Sequence, residues 1–431
     1  MNIPLNGRVV IIDDKEKEAL PLFNLLSKKR IPFNYYKGTN SADFPSSPDN
    51  NKLRVLFLDL NIFEIQTNDI KAVISSLDAI LRQIIPDSPN PYLLIVWSKK
   101  DKDYIDALKN HFDNHLQHKK PSEIIFLQKG AYFDYDDGEW IPQADCVEKL
   151  AKELNQYLEN VSVLKALIEW ENLVHNAACK TLELMNKFYP NDEKWNKNML
   201  DVFYTLARNV FGNSNIDSVN EKQKLENAML ILSEILIDSL ENMIKNEFNI
   251  DIGKIIGGDI NQVIKNKVNT SIHVEFNISK DVENFQPGNV YILPYDGDFT
   301  KVIVEKNFKA SKHADVLKSK HQLIEMDITP ICDYAQDKNY MRVLPGLLME
   351  PQFKEVIEPK LSFNYSDIPV IEIGGTPYYI FFDFRFAKFT SKVRIRIRKI
   401  PPTFKLRHEL LVDILTQLAN QINRPGVVTI K

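Results

Sequence analysis

Five short runs of nearly continuous apolar residues punctuate the first 160 positions: RVVIID (8–13), IPFNYY (31–36), LRVLFLDL (53–60), PYLLIVWS (91–98) and EIIFLQK (123–129). Runs of this length without polar alternation suit strands covered on both faces, as in parallel sheets. Between them the apolar residues recur every three or four positions. Ala19, Leu22, Phe23 and Leu26 fall on one helical face, and Ile70, Val73, Ile74, Leu77, Ile80 and Leu81 on another. Two more helices are expected at 101–117 and 145–158. Strand and helix in alternation predict a parallel sheet with helices on both faces.

From 161 to 250 the pattern is helical without strand punctuation. Val163, Leu164, Leu167, Ile168, Val174, Ala178, Leu182 and Met185 form one stripe, and Leu225, Met229, Leu232, Ile235, Leu236, Leu240 and Met243 another, with a further helix expected near 193–211. Such stripes either close a small bundle on itself or join two copies of the chain in a homo-oligomer. Over 251–431 short β-rich segments alternate with Pro, Gly and Asp turns: SIHVEFNIS, GNVYILPY, KVIVEK, LIEMDIT, MRVLPGLLM, VIEIG, PYYIFFDF and KVRIRIRKI. They predict a barrel-like α+β domain closed by a helix over 406–422. Three domains are therefore expected, at 1–160, 161–250 and 251–431.

Composition narrows the classes. With 44% hydrophobic and 26% charged residues in 431, the chain is of ordinary globular composition. A formal net charge of −4 argues against a nucleic-acid binder, and no run of 18 apolar residues or signal segment is present, so a cytoplasmic protein without membrane contact is expected. Three scattered cysteines, Cys146, Cys179 and Cys332, fit reduced thiols better than a disulfide framework.

The candidate chemistry lies at the strand ends of the first domain. Asp13 and Asp14 end the first strand, Asp59 the third, Ser98 the fourth and Lys129 the fifth. In parallel sheets ligands bind beyond the carboxyl ends of the strands, so these groups converge on one rim. Three carboxylates at one point demand a cation, and hard oxygen ligands with room for water suit Mg²⁺ better than zinc. With its charge balanced, Asp59 can act as a nucleophile toward phosphorus, while Lys129 pairs with one phosphoryl oxygen and Ser98 donates a hydrogen bond to another.

This arrangement resembles the response-regulator receiver domain: an acidic pair after strand one, an aspartate after strand three, a hydroxyl after strand four, a lysine after strand five, and the aromatic Phe126 three residues before that lysine. The resemblance implies a flavodoxin-like (βα)5 fold, phosphorylation of Asp59 by a sensor histidine kinase, and Mg²⁺ held by Asp13, Asp14, Asp59 and the backbone carbonyl of Asn61. It also implies a switch pair of Ser98 and Phe126. Lys99 departs from the pattern where a small residue is usual, as does Gly130 where a proline is usual, and the 37–52 loop and the segment between Ser98 and Lys129 are long. Beyond the receiver, VVIIDDKEKEALPLFNLLSKKRIPFNYYKG, LFLDLNIF with YLLIVWSKKD, and ITPICDYAQDK with RVLPGLL are similar to receiver proteins of Detocs-type antiphage two-component systems. That likeness implies a phosphate buffer working beside a cognate effector, not an enzyme beyond its own phosphorylation and dephosphorylation.

Two alternatives come from other classes. A receiver-controlled effector enzyme would need a C-terminal active site, yet no G-x-S-x-G, phosphate-loop or H-E-x-x-H motif is present. Glu358-Pro359-Lys360 mimics a nuclease motif only in letters, because the proline disfavours a central strand, and Cys332-Asp333 lacks a nearby histidine. A nucleic-acid-binding regulator would use a strand at 392–398 with Lys392, Arg394, Arg396 and Arg398 on one face. His111, His115 and His118 have helical spacing but sit among lysines, as on a solvated helix.

Overall fold

The computed structural model describes residues 9–45, 53–62, 69–99, 103–137, 139–159, 162–189, 193–211, 216–250, 258–282, 285–330, 333–334, 338–358 and 363–422. Cys332, Pro359 and Lys360 lie outside them. Five strands, β1 (Val9–Ile12), β2 (Phe33–Tyr36), β3 (Val55–Leu58), β4 (Leu93–Ser98) and β5 (Glu123–Gln128), pair in parallel in the order β2-β1-β3-β4-β5. This is the flavodoxin-like order, whose switch point lies between β1 and β3.

Residue parity along these strands decides what each face carries. Val9, Ile11, Val55, Phe57, Leu93, Ile95, Trp97, Ile125 and Leu127 pack against α1 (Glu16–Lys28) and α4 (Cys146–Glu159). Leu56, Leu58, Leu94 and Val96 pack against α2 (Ile70–Ile84) and α3 (Asp103–His115). Because both their faces are covered, β1, β3 and β4 have no polar alternation. One feature of this domain went unforeseen: an antiparallel hairpin of β6 (Phe133–Asp136) and β7 (Glu139–Pro142) between β5 and α4. Its sequence signal was Asp137-Gly138, a dipeptide that favours tight hairpin turns, and Asp137 takes a φ of 49°.

The helical stripes form α5 (Ser162–Asn186), α6 (Trp195–Phe211) and α7 (Glu221–Glu247). Leu164 and Ile168 join the α1/α4 core, and Leu173, Ala177 and Met243 make a small cluster with Leu236 and Leu240. Val163, Leu167, Leu182, Leu225 and Met229 are exposed, so the stripes are only partly self-covered. The chain divides into two compact units, 1–198 with 230–256, and 199–229 with 257–431, so most of α6 and the start of α7 group with the second unit. No helix among the described residues is long and apolar enough to cross a membrane.

The second unit is built on antiparallel strands. After α8 (Gln262–His273) come β8 (Val274–Glu275), β9 (Asn289–Ile292), α9 (Gly297–Asn307), α10 (His313–Lys318), β10 (His321–Asp327) and β11 (Tyr340–Met349). Next are β12 (Asn364–Tyr365), β13 (Ile371–Ile373), β14 (Thr376–Asp383), β15 (Lys388–Ser391), α11 (Lys392–Arg398), β16 (Phe404–Leu406) and α12 (His408–Ile422). Among the described residues the main path β12-β14-β11-β10-β9-β16-β8 does not close on itself, so the β-rich, barrel-like expectation is met as an antiparallel sheet with free ends. Leu410, Leu411, Ile414 and Leu418 of α12 cover one face, while Ile303 and Val304 of α9 cover the other.

Three expectations are corrected. KVIVEK is the helix α9: Asp296 caps it by accepting from the Phe299 N–H at 3.0 Å, and Thr300, Ile303, Val304 and Asn307 repeat at helical spacing on its buried side. KVRIRIRK is the helix α11, capped by Ser391, with Lys392 and Ile395 buried, Ile397 exposed and Lys399 ending it at a φ of 51°. No cationic strand ridge forms at 392–398. SIHVEFNIS begins inside α8 and contributes only the two residues of β8 to the sheet.

Gly346 shows how closely the second sheet is packed, since a Cβ there would stand 2.1 Å from the Phe381 carbonyl oxygen and 2.7 Å from the Phe382 ring. Gly346→Ala should therefore destabilise this unit by about 3 kcal/mol, the upper part of the usual overpacking cost, read as a lower urea midpoint by circular dichroism. An unchanged midpoint would mean that the strand yields freely.

Candidate functional site

The β-ladder of the first sheet runs one residue beyond its central strands: the Asp13 N–H donates to the Tyr36 carbonyl at 3.2 Å and the Asp59 N–H to the Ile12 carbonyl at 2.9 Å. These bonds fix both backbones where the strands leave the sheet. Asp13, Asp14, Asp59 and Lys129 come together, Ser98 ends β4 on the same side of the sheet, and all five are buried. Carboxylate oxygens of Asp13, Asp14 and Asp59 lie within 4.8 Å of one another.

Lys129, wholly buried, organises the cluster. Its Nζ lies 2.6 Å from Asp59 Oδ2, 2.8 Å from Asp13 Oδ2 and 3.2 Å from Glu18 Oε2. Burial opposes its charge, but Asp59, Asp13 and Glu18 more than offset that, so its pKa is raised. The Asp13 contact is an ion pair without hydrogen-bond alignment, leaving Asp13 Oδ2 without a hydrogen-bond donor; Asp14 Oδ1 also has none. The other Asp13 oxygen accepts the Lys15 N–H at 3.0 Å, and Tyr35 donates its hydroxyl to the Asp13 carbonyl at 2.9 Å. Burial, reinforced by the Asp59 charge and opposed by Lys129, raises both acids of the pair, Asp14 to about 6.

The other expected residues take up defined places. The Asn61 N–H donates to Asp59 Oδ1 at 3.1 Å, tying the following loop to the carboxylate. Ser98 stands beside Gln128 in register, and Phe126 beside Val96. By strand parity Ser98 and Phe126 share the α2/α3 face, where the half-buried Phe126 packs on the core. The histidines make no metal cluster among the described residues: His111 pairs with Asp78 at 2.8 Å on the helix surface.

Glu18 and Lys99 complete the site, and sequence reasoning passed over Glu18 altogether. Glu18 sits in the first turn of α1, one turn beyond Asp14, and is 6% exposed. That spacing was its signal, obscured by ordinary helix-start acidity. Its second oxygen binds Lys99 Nζ at 2.7 Å, and this ammonium also lies 4.1 Å from the Trp140 ring centroid on β7.

Four carboxylates thus gather around one buried and one half-buried ammonium, with buried oxygens on Asp13 and Asp14 that accept no hydrogen bond. A small divalent cation with hard-ligand preference fits this donor set, since it would supply both the missing charge and the missing partners. No protein-family model matches the chain, and no curated protein matches it in sequence.

Because burial pushes the Asp14 carboxyl up to about 6 from its ordinary 3.8, the folded state favours its neutral form. Its stabilising contribution is therefore present below pH 3.8 and is lost as pH rises through 6. Without divalent ions, the thermal midpoint of wild type relative to Asp14→Asn should fall across that window and level above it. A constant difference would contradict the burial of this acid.

Proposed function

We propose that the first unit is a receiver-type phosphoacceptor in which Asp59 takes a phosphoryl group from a sensor histidine kinase. The observation that carries this is Lys129 in contact with both Asp59 and Asp13, beside an acidic pair with buried oxygens that accept no hydrogen bond. Mg²⁺ held by Asp13, Asp14, Asp59 and the Asn61 carbonyl would neutralise charge on the transferring phosphoryl. An Asp59 carboxylate oxygen attacks phosphorus, the bond from phosphorus to the donor's imidazole nitrogen or acetate oxygen breaks, and the electron pair leaves with the donor. Lys129 turns one N–H from the carboxylates to a phosphoryl oxygen, and the Ser98 hydroxyl donates to another. Ser98 and Phe126 share one face, which supports their reading as a switch pair.

The sequence likeness to Detocs-type receivers supports a buffering role, drawing phosphoryl groups away from a cognate effector in an antiphage circuit inside the cell. The second unit carries a cleft of about 820 Å³ with Ile328, Leu406, Leu411, Leu415 and Leu418 in its wall and Lys405 and Arg407 beside them. Glu275, Arg342, Lys388 and His408 also line it, and this mainly apolar wall with a few polar groups supports a ligand-binding role for the second unit.

Incubation with acetyl phosphate and Mg²⁺ should add one phosphoryl group by intact-mass spectrometry. The adduct should vanish in Asp59→Ala and form at least about tenfold more slowly in Lys129→Ala, whose lost charge stabilisation is worth more than ~1.4 kcal/mol. No adduct, where a known receiver is labelled, would leave a pseudo-receiver that only binds. Mg²⁺ alone should raise the thermal midpoint more at pH 7.5 than at pH 5, because Asp13 and Asp14 must be ionised to hold it. At about 100 times its Kd the ion would add ~2.7 kcal/mol, and Asp13→Asn should abolish the gain.

A further inference from the structure

An ammonium has three N–H donors, and Lys129 meets three carboxylates, of which Glu18 is the most distant at 3.2 Å against 2.6 and 2.8 Å. Glu18 is the only one of the three whose other oxygen is held by a second enclosed ammonium, Lys99 at 2.7 Å. Lys15 stands 3.8 Å away with a side chain 64% exposed, so it answers the buried charge weakly. Lys99 is itself approached from outside by Trp140 of the β6–β7 hairpin, whose ring centroid lies 4.1 Å from its Nζ.

From this geometry we propose, resting on the phosphoacceptor reading, that Lys99 is a positioning residue: by satisfying Glu18 it keeps that carboxylate from drawing Lys129 away from Asp59. A buried carboxylate deprived of one cation leans on the other. Without Lys99, Glu18 pulls harder on Lys129, the ammonium that must turn toward the incoming phosphoryl. With Lys99 present, the Glu18 contact is the cheapest of the three for Lys129 to give up during transfer. The hairpin thereby acts on the reaction without touching it, since Trp140 orients Lys99, Lys99 balances Glu18, and Glu18 sets the freedom of Lys129.

A double-mutant cycle on the full chain tests this, with the rate of acetyl phosphate labelling at Asp59 as the readout. Lys99→Met should slow labelling about tenfold, Lys99→Arg should restore it to within about twofold, and in a Glu18→Gln background Lys99→Met should cost less than about twofold. Trp140→Ala, which loosens Lys99 without changing any charge, should give a smaller loss that Glu18→Gln also cancels. A Lys99→Met loss of equal size in both backgrounds would show that Lys99 meets the phosphoryl group directly, and would overturn this inference while leaving the phosphoacceptor reading intact. Absence of labelling in wild type would overturn both. Thermal midpoints of each variant separate a rate effect from unfolding, and the Arg and Trp140 variants keep the test decisive if Lys99→Met does not fold.

Discussion

The first unit depends on one buried ammonium. Lys129 has no exposure, and an isolated charge so placed would cost several kcal/mol in lost hydration. Asp59, Asp13 and Glu18 repay that cost only because β1, β3, β5 and the first turn of α1 end at the same rim. The parallel sheet is therefore the means by which carboxylates at positions 13, 18 and 59 all come within 2.6 to 3.2 Å of the one Lys129 nitrogen. Parallel strands impose this because every strand points its carboxyl end the same way.

Carboxylates outnumber ammoniums at this rim. The acidic pair keeps buried oxygens that accept no hydrogen bond and pKa values raised by burial, a cost that a bound cation would relieve. Glu18 adds a fourth carboxylate and Lys99 a second ammonium, and the β6–β7 hairpin holds the latter in place through Trp140. The hairpin thus joins the site indirectly, by cation–π contact with a residue beside Ser98.

The second unit obeys a different rule. Its strands are antiparallel, covered by α12 on one face and by α9 on the other, and the close approach of β11 to β14 leaves no room for a side chain at Gly346. Here the main cavity is walled mostly by aliphatic side chains, with Glu275, Lys405, Arg407 and His408 among its polar groups.

For the first domain, the order of elements and the rim residues were legible in the letters, because doubly covered strands admit only apolar residues and leave polar ones to the strand ends. Asp13, Asp14, Asp59, Ser98 and Lys129 stand where that pattern put them. The alternation in KVRIRIRK and the β-branched run in KVIVEK failed as strand signals, because a Ser391 or Asp296 cap and one buried helical face outweighed local strand preference. Glu18 and Lys99 could not be joined by any local pattern: 81 residues separate them, and an acid in a first helical turn looks like every other. The sequence by itself determined which residues must be buried and which must end strands, since hydrophobic periodicity is local. Only the tertiary structure decided which charges share a partner, since that depends on distances set by every strand and helix between them.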